Sequence, residues 1–336
     1  MTSLLCAAAC LFAADDVANV LSKETIAAGK ILLFDGESVF GWTGKEASAK
    51  DGALVVPAGA VAKTTTQFCD GTLSFEFKVD DAELLLGDVP HALKSPADSQ
   101  GWTALSFTIR GGEIAREPKE AAKPGRFAIG FRAGKKPLEL RSVVYLPEGL
   151  KPIFNGKDLD GWKPIPAKKS KFSVTPEGWL NVKDGPGDLQ TTGEWDDFVL
   201  QLDVISNGKH LNSGIFYRAI AGENWSGYES QIRNQWEGED RTKPVDFGTG
   251  GIYRRQKTRK VNATDGEWFT KTVIAHGQHH AVWVNGLQVA DYTDTAPLNK
   301  SARKGSKVEK GPISIQGHDP TTDLSFRNLK LVELPK

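Results

Sequence analysis

Three phrases in the second half of this 336-residue chain set chemistry-bearing side chains at strand spacing. The first is Asn212-Ser213-Gly214-Ile215-Phe216-Tyr217-Arg218. Side chains two apart share a strand face, so Asn212, Phe216 and Arg218 are expected together around Gly214. An amide and a guanidinium beside an aromatic ring suit sugar hydroxyls and carbonyl oxygens. The second phrase, Gly227 to Asn234, aligns Glu229, Gln231 and Arg233 on one face. Such a set binds a polyol or poises an acid–base group, and its plain alternative is an exposed Glu–Arg pair. The third, Ile315-Gln316-Gly317-His318-Asp319, puts a histidine at a glycine turn just past a strand glutamine, where a sheet rim presents a general base. Trp225, Trp236 and Tyr253 supply flat faces for sugar stacking.

Strands must carry these residues. From residue 31 onward, short apolar runs alternate with Gly-, Pro- and Asp-rich turns, the rhythm of a β-sandwich. One hairpin is legible in detail: Thr272 to His276, the turn Gly277-Gln278, then His279 to Val284. In that register His276 faces His279, while His280 shares the other face with Val273, Val282 and Val284. The pair His276 and His279 is a candidate site for a divalent metal ion, with Glu229 or Asp246 as a further ligand. Its bland reading is a polar pair at the rim. The sequence calls for no other cofactor.

A longer pattern organises the chain. Leu33-Phe34-Asp35-Gly36 followed by Gly41-Trp42 returns as Ile153-Phe154-Asn155-Gly156 followed by Gly161-Trp162. A repeat at that distance signals two domains rather than a solenoid. Residues 1–14 read as a signal peptide: an apolar run without a basic start, ending in small residues before Asp15-Asp16. That implies a secreted or periplasmic protein, and Cys10 after three alanines is a weak candidate for lipid attachment. Residues 15–30 form a linker or short helix, 31–149 a divergent sandwich, and 150–336 the domain with the chemistry. Cleavage would leave Cys69 as the sole cysteine, so no internal disulfide is expected. The 42 basic and 42 acidic side chains balance, which argues against a nucleic-acid surface, and no segment is long and apolar enough to span a bilayer.

Together the phrases resemble the 3-keto-disaccharide hydrolase domain family, which includes 3-keto-glucoside lyases and hydratases. The resemblance covers Ile153 to Leu334. It rests on Phe154-Asn155-Gly156-Lys157-Asp158-Leu159-Asp160-Gly161-Trp162, the Asn212–Arg218 phrase, Gly227-Tyr228-Glu229-x-Gln231 and Thr249-Gly250-Gly251-Ile252-Tyr253. Asn285-Gly286, Gln316-x-His318 and Phe326-Arg327-Asn328 complete it. It implies an all-β protein: two concanavalin A-like lectin/glucanase (jelly-roll) sandwiches in tandem, the first reduced. Two positions depart from the family pattern: Asn234 stands where an aspartate is usual, and Phe269 where an asparagine often follows Glu-Trp.

The paired-carboxylate motif of an ordinary retaining glucanase, Glu-x-Asp-x-x-Glu, is missing. A 3-keto sugar needs different chemistry. Its C3 carbonyl acidifies the C2 proton, so one base can remove that proton while the anomeric oxygen leaves, and water then adds to the enone. The expected catalytic residues are His318, Glu229 and His276. The histidines are rival bases, and Glu229 is the acid or orienting carboxylate. Asn212, Arg218, Gln231, Tyr253, Gln316, Trp225 and Trp236 would bind the substrate, an oligosaccharide or other glycoside. The competing expectation is a non-catalytic carbohydrate-binding module, which needs the aromatic platforms but no base.

Overall fold

The structure, a computed structural model, describes residues 17–79, 81–95, 101–115, 125–166 and 168–336. Residues 1–14, read from the sequence as a signal peptide, lie outside them with Cys6 and Cys10, as does most of the charged loop from Glu113 to Lys123. Helix among the described residues is confined to Lys23–Ala27, where the Ser22 hydroxyl caps the Thr25 N–H. None is long and apolar enough to cross a membrane. The chain divides into two compact units, one reaching Gly149 and taking in Leu334–Lys336, the other Leu150–Glu333.

In the first unit a seven-stranded and a five-stranded antiparallel sheet enclose a core. Gly71–Lys78 alternates buried and half-buried positions without a break, sending Leu73, Phe75 and Phe77 inward. Outward on the five-stranded sheet, Lys63 lies over Gly130 and pairs with Asp88, while Arg132 pairs with Glu83. Long paired side chains fill that face.

The second unit sets an eight-stranded sheet against a five-stranded one. The five strands are β1 (Trp162–Pro164), β2 (Gly187–Thr191), β3 (Ser213–Tyr217), β4 (Tyr228–Ile232) and β5 (Ser314–Gly317). Their spatial order is β1-β2-β5-β3-β4, antiparallel throughout. Leu189, Ile315, Ile215 and Ile232 face the core, where they join Leu200, Leu202, Val204 and Val273 of the larger sheet. Strand alternation then assigns the other face. Gln190, Ser314, Phe216 and Glu229 are successive cross-strand partners in one row. The row beside it holds the pairs Asp188–Gln316 and Gly214–Gln231.

The repeated phrase makes the same contacts in both units. The indole N–H of Trp42 donates to the Leu33 carbonyl, and that of Trp162 to the Ile153 carbonyl. Asp35 Oδ1 accepts the N–H groups of Glu37 and Ser38, as Asn155 Oδ1 accepts those of Lys157 and Asp158. Its role is structural: an Asx turn followed by an anchored tryptophan.

Candidate functional site

The outer face of the five-stranded sheet is covered by loops that leave a cavity of about 330 Å³. Pro186, Asn212, Trp225, Glu229, Gln231, Tyr253, Arg303, Gln316 and His318 line it. Seven residues expected from the sequence therefore meet in one place. Glu229 can lie across β3 because that strand carries glycine at 214. A Cβ there would lie 2.6 Å from Glu229 Oε1 and 2.7 Å from its Cγ, so the Glu229 side chain occupies the space that any other residue would fill.

Glu229 is buried, and burial pushes its carboxyl up to about 7 against the pull of Arg303 and Lys271. Arg303 Nη2 lies 3.5 Å from Glu229 Oε2, and the guanidinium sits 5.4 Å from the Phe216 ring and 5.7 Å from that of Tyr253. Tyr253 is held by its own N–H, which donates to the Glu229 carbonyl at 2.9 Å. The loop bearing it can pack closely on the larger sheet because Gly250, at φ +91°, has Val289 Cγ2 where a Cβ would stand. Lys271 spans the interior from the larger sheet and donates to the carbonyls of Ser230 (2.7 Å) and Gln231 (2.9 Å). Burial lowers its affinity for a proton to about 7.

The amides are partly committed. Gln231 Nε2 donates to Asn212 Oδ1 (3.1 Å) and Asp246 Oδ2 (2.6 Å), while its Oε1 accepts the Phe247 N–H (3.0 Å). That network fixes the orientation of Asn212. Gln316 Oε1 and the Trp225 indole N–H, in contrast, are buried without a hydrogen-bond partner. A buried acceptor and donor left open on the wall of a polar cavity are what a hydroxylated ligand would satisfy. His318 is partly exposed at the end of β5, with Nδ1 3.2 Å from Asp319 Oδ2. An Nδ1–H donated to Asp319 leaves Nε2 as the basic nitrogen.

The structure corrects several expectations. Arg218 does not share the face of Asn212 and Phe216. It follows the last residue of β3 with φ +50°, which breaks the alternation and turns the side chain inward. There the fully buried guanidinium donates to the carbonyls of Asp196, Gly277 and Lys307 and pairs with Asp197 at 2.9 Å. It is a structural clamp. Trp236 lies outside the cavity, bridged to Pro244 and covered by Arg241 at 4.1 Å. Arg233 points to Gln235 rather than the cavity.

The hairpin forms in the expected register, His276 opposite His279, but His276 is not at the cavity. His279 has Nδ1 2.9 Å from Thr293 Oγ1 and Nε2 3.2 Å from Asp291 Oδ1, so neither nitrogen is left to hold an ion. No group of three candidate ligands gathers anywhere among the described residues. Asn234, in place of the usual aspartate, donates to Asp265 and accepts from Thr249, bracing the loop beside β4.

Sequence reasoning missed Arg303 and, beneath the lining, Asp188. Arg303 comes from a loop with no periodicity to read. Asp188 carried a usable signal, since it alternates with core-facing Leu189 on a strand.

A cavity over the outer sheet of a β-sandwich, built from the Asn212, Glu229–Gln231, Tyr253 and Gln316–His318 phrases, is the geometry those motifs demand. The 3-keto-alpha-glucoside-1,2-lyase-like domain matches residues 149–332, which hold every lining residue. The chain belongs to this family. Among solved structures, a candidate glycosyl hydrolase from Parabacteroides distasonis is 21% identical over 56% of this chain and 94% of its own, with a TM-score of 0.45. A second from that organism is 24% identical over 56% and 100%, also at 0.45. A carbohydrate-binding module from Bacillus subtilis is 15% identical over 52% and 97%, at 0.39. No curated protein matches. The family makes this a carbohydrate-related protein, and its facing antiparallel sheets make it a β-sandwich.

Proposed function

We propose that the protein cleaves 3-keto-glycosides by elimination and hydration in the cavity over β3, β4 and β5. The observation carrying this reading is Glu229: a buried carboxyl raised to about 7, in a cavity that also holds a histidine and open hydrogen-bonding groups. A carboxyl titrating there is protonated often enough at neutral pH to serve as a general acid.

His318 Nε2 removes the proton from C2, and the electron pair delocalises into the C3 carbonyl. Arg303 and the Asn212 amide would steady the resulting oxyanion, which is strongest in a site that water does not screen. The enolate then expels the anomeric oxygen, forming the C1–C2 double bond, while the Glu229 carboxyl donates its proton to the departing alcohol. Hydration reverses the roles: Glu229 carboxylate draws a proton from water as its oxygen adds at C1, and His318 returns a proton to C2. One water is consumed overall, and both groups regain their starting states.

Incubation of a 3-keto-glucoside with the protein in deuterated water tests this. Release of the alcohol with deuterium at C2 of the sugar is expected, along with loss of release in His318→Ala and Glu229→Gln. Release without deuterium at C2 would mean direct hydrolysis. Saturable sugar binding with no release would leave a binding module.

A further inference from the structure

The loop that walls the cavity is held from β2. Asp188 is fully buried, and its Oδ2 accepts the Trp225 N–H at 2.7 Å. Gln190, on the same face, donates to the carbonyls of Ile220 (3.3 Å) and Glu223 (3.0 Å) and accepts the Gly222 N–H at 2.9 Å. Trp225 has φ +54°, a conformation that a bulky residue keeps only where its surroundings impose it. Its carbonyl accepts from Arg303 Nε at 3.0 Å, and Arg303 Nη2 reaches Glu229 at 3.5 Å. Asp188, Trp225, Arg303 and Glu229 are thus linked contact by contact.

We propose that Asp188 is a positioning residue of this site: by fixing the strained Trp225 backbone it sets where Arg303 rests against Glu229. The proposal takes from the functional reading only that Glu229 is the group whose proton matters. Glu229 is faced by Arg303 from the 294–306 loop, Lys271 from strand Phe269–His276 and Asp188 from β2, and it shares the cavity with His318. Asp188 is faced by Arg303 and Lys168.

Positioning and simple charge predict opposite signs. Acting through space, the negative charge of Asp188 raises the Glu229 pKa, so its removal would lower it. Acting through Trp225, loss of Asp188 lets Arg303 withdraw, and the Glu229 pKa rises.

The test is a pH titration of side-chain carboxyl-labelled glutamate by carbon NMR on the full chain, with Glu229 assigned from Glu229→Gln. Asp188→Ala is expected to raise the Glu229 midpoint by about one pH unit or more, the size of losing a neighbouring opposite charge. Arg303→Met should do the same, and the double variant should titrate no higher than Arg303→Met alone. Asp188→Asn keeps an acceptor for the Trp225 N–H and drops the charge, so its midpoint should stay or fall. A fall or no change in Asp188→Ala overturns the proposal, as does a further rise in the double variant. Should Asp188→Ala fail to fold, Asp188→Ser, too short to reach the Trp225 N–H, must show the same rise. Because the titration reads ionisation and not turnover, this inference and the proposed activity can fail separately.

Discussion

Gly214→Ala perturbs one contact whose size is known. The added Cβ meets Glu229 Oε1 at 2.6 Å, Cγ at 2.7 Å and Cδ at 3.0 Å. An ordinary carbon contact needs roughly 3.5–4.0 Å, so Glu229 must retreat by about 1 Å. Because the conflict reaches back to Cγ, rotating the carboxylate tip does not relieve it; the side chain must change rotamer. Gly214 itself does not adopt a positive φ, so the backbone adds no strain of its own. Overpacking of this kind costs about 1–3 kcal/mol, too little to unfold a typical domain. The catalytic loss should be larger in relative terms, on the order of 10²-fold, because about 1 Å of misplacement has that effect on a positioned acid. Release of alcohol from a 3-keto-glucoside measures turnover, and a thermal melt with far-UV circular dichroism measures the fold. A folded Gly214→Ala protein with wild-type turnover would refute the argument that the glycine makes room for a working Glu229.

Other outcomes follow from the same structure. Glu229 binds its proton more tightly folded than unfolded, so its contribution to stability falls as pH rises from its ordinary 4.5 towards about 7. The change is at most about 3 kcal/mol at 1.36 kcal/mol per pH unit; urea unfolding between pH 5 and 8 should show this slope diminished in Glu229→Gln. His280 has the opposite sign: fully buried among Tyr217, Tyr228 and Tyr292 with both ring nitrogens unpartnered, it is held neutral by burial, its pKa well below 6.5. Stability tied to it is lost as pH falls below 6.5, and His280→Phe should flatten that acid limb in the same urea series. Arg218→Met should destabilise the second unit by about 3–5 kcal/mol, because it takes the guanidinium away from buried Asp197 and three carbonyls, and leave the affinity of any refolded protein for sugar unchanged in calorimetry. His318→Ala should retain binding and stability while losing about 10²–10⁴-fold in turnover, the usual share of a general base.

Alternation along single strands was readable from the chain, and it placed Glu229 with Gln231 and Gln316 beside His318 correctly. The hairpin of Thr272–His276 with His279–Val284 was equally legible, since a two-residue turn dictates its register; the first strand in fact begins earlier, at Phe269. Arg218 fails for a local reason: one positive φ just past the strand end turns the side chain from the cavity into the interior, and alternation has no term for that. The metal reading of His276 and His279 fails for a non-local one, because Thr293 and Asp291 arrive from the next strand to engage both nitrogens of His279.

The sheet faces, the anchored Gly-Trp openings of both units and the motifs that mark the family could all be read from the order of residues. Each depends on neighbours within a few residues or on a period of two. Which polar groups share one cavity, and how strongly Glu229 holds its proton, could not be read that way. Those depend on desolvation and on Arg303, Lys271 and Asp188, which come from distant parts of the chain and meet Glu229 only once the two sheets and their covering loops have packed.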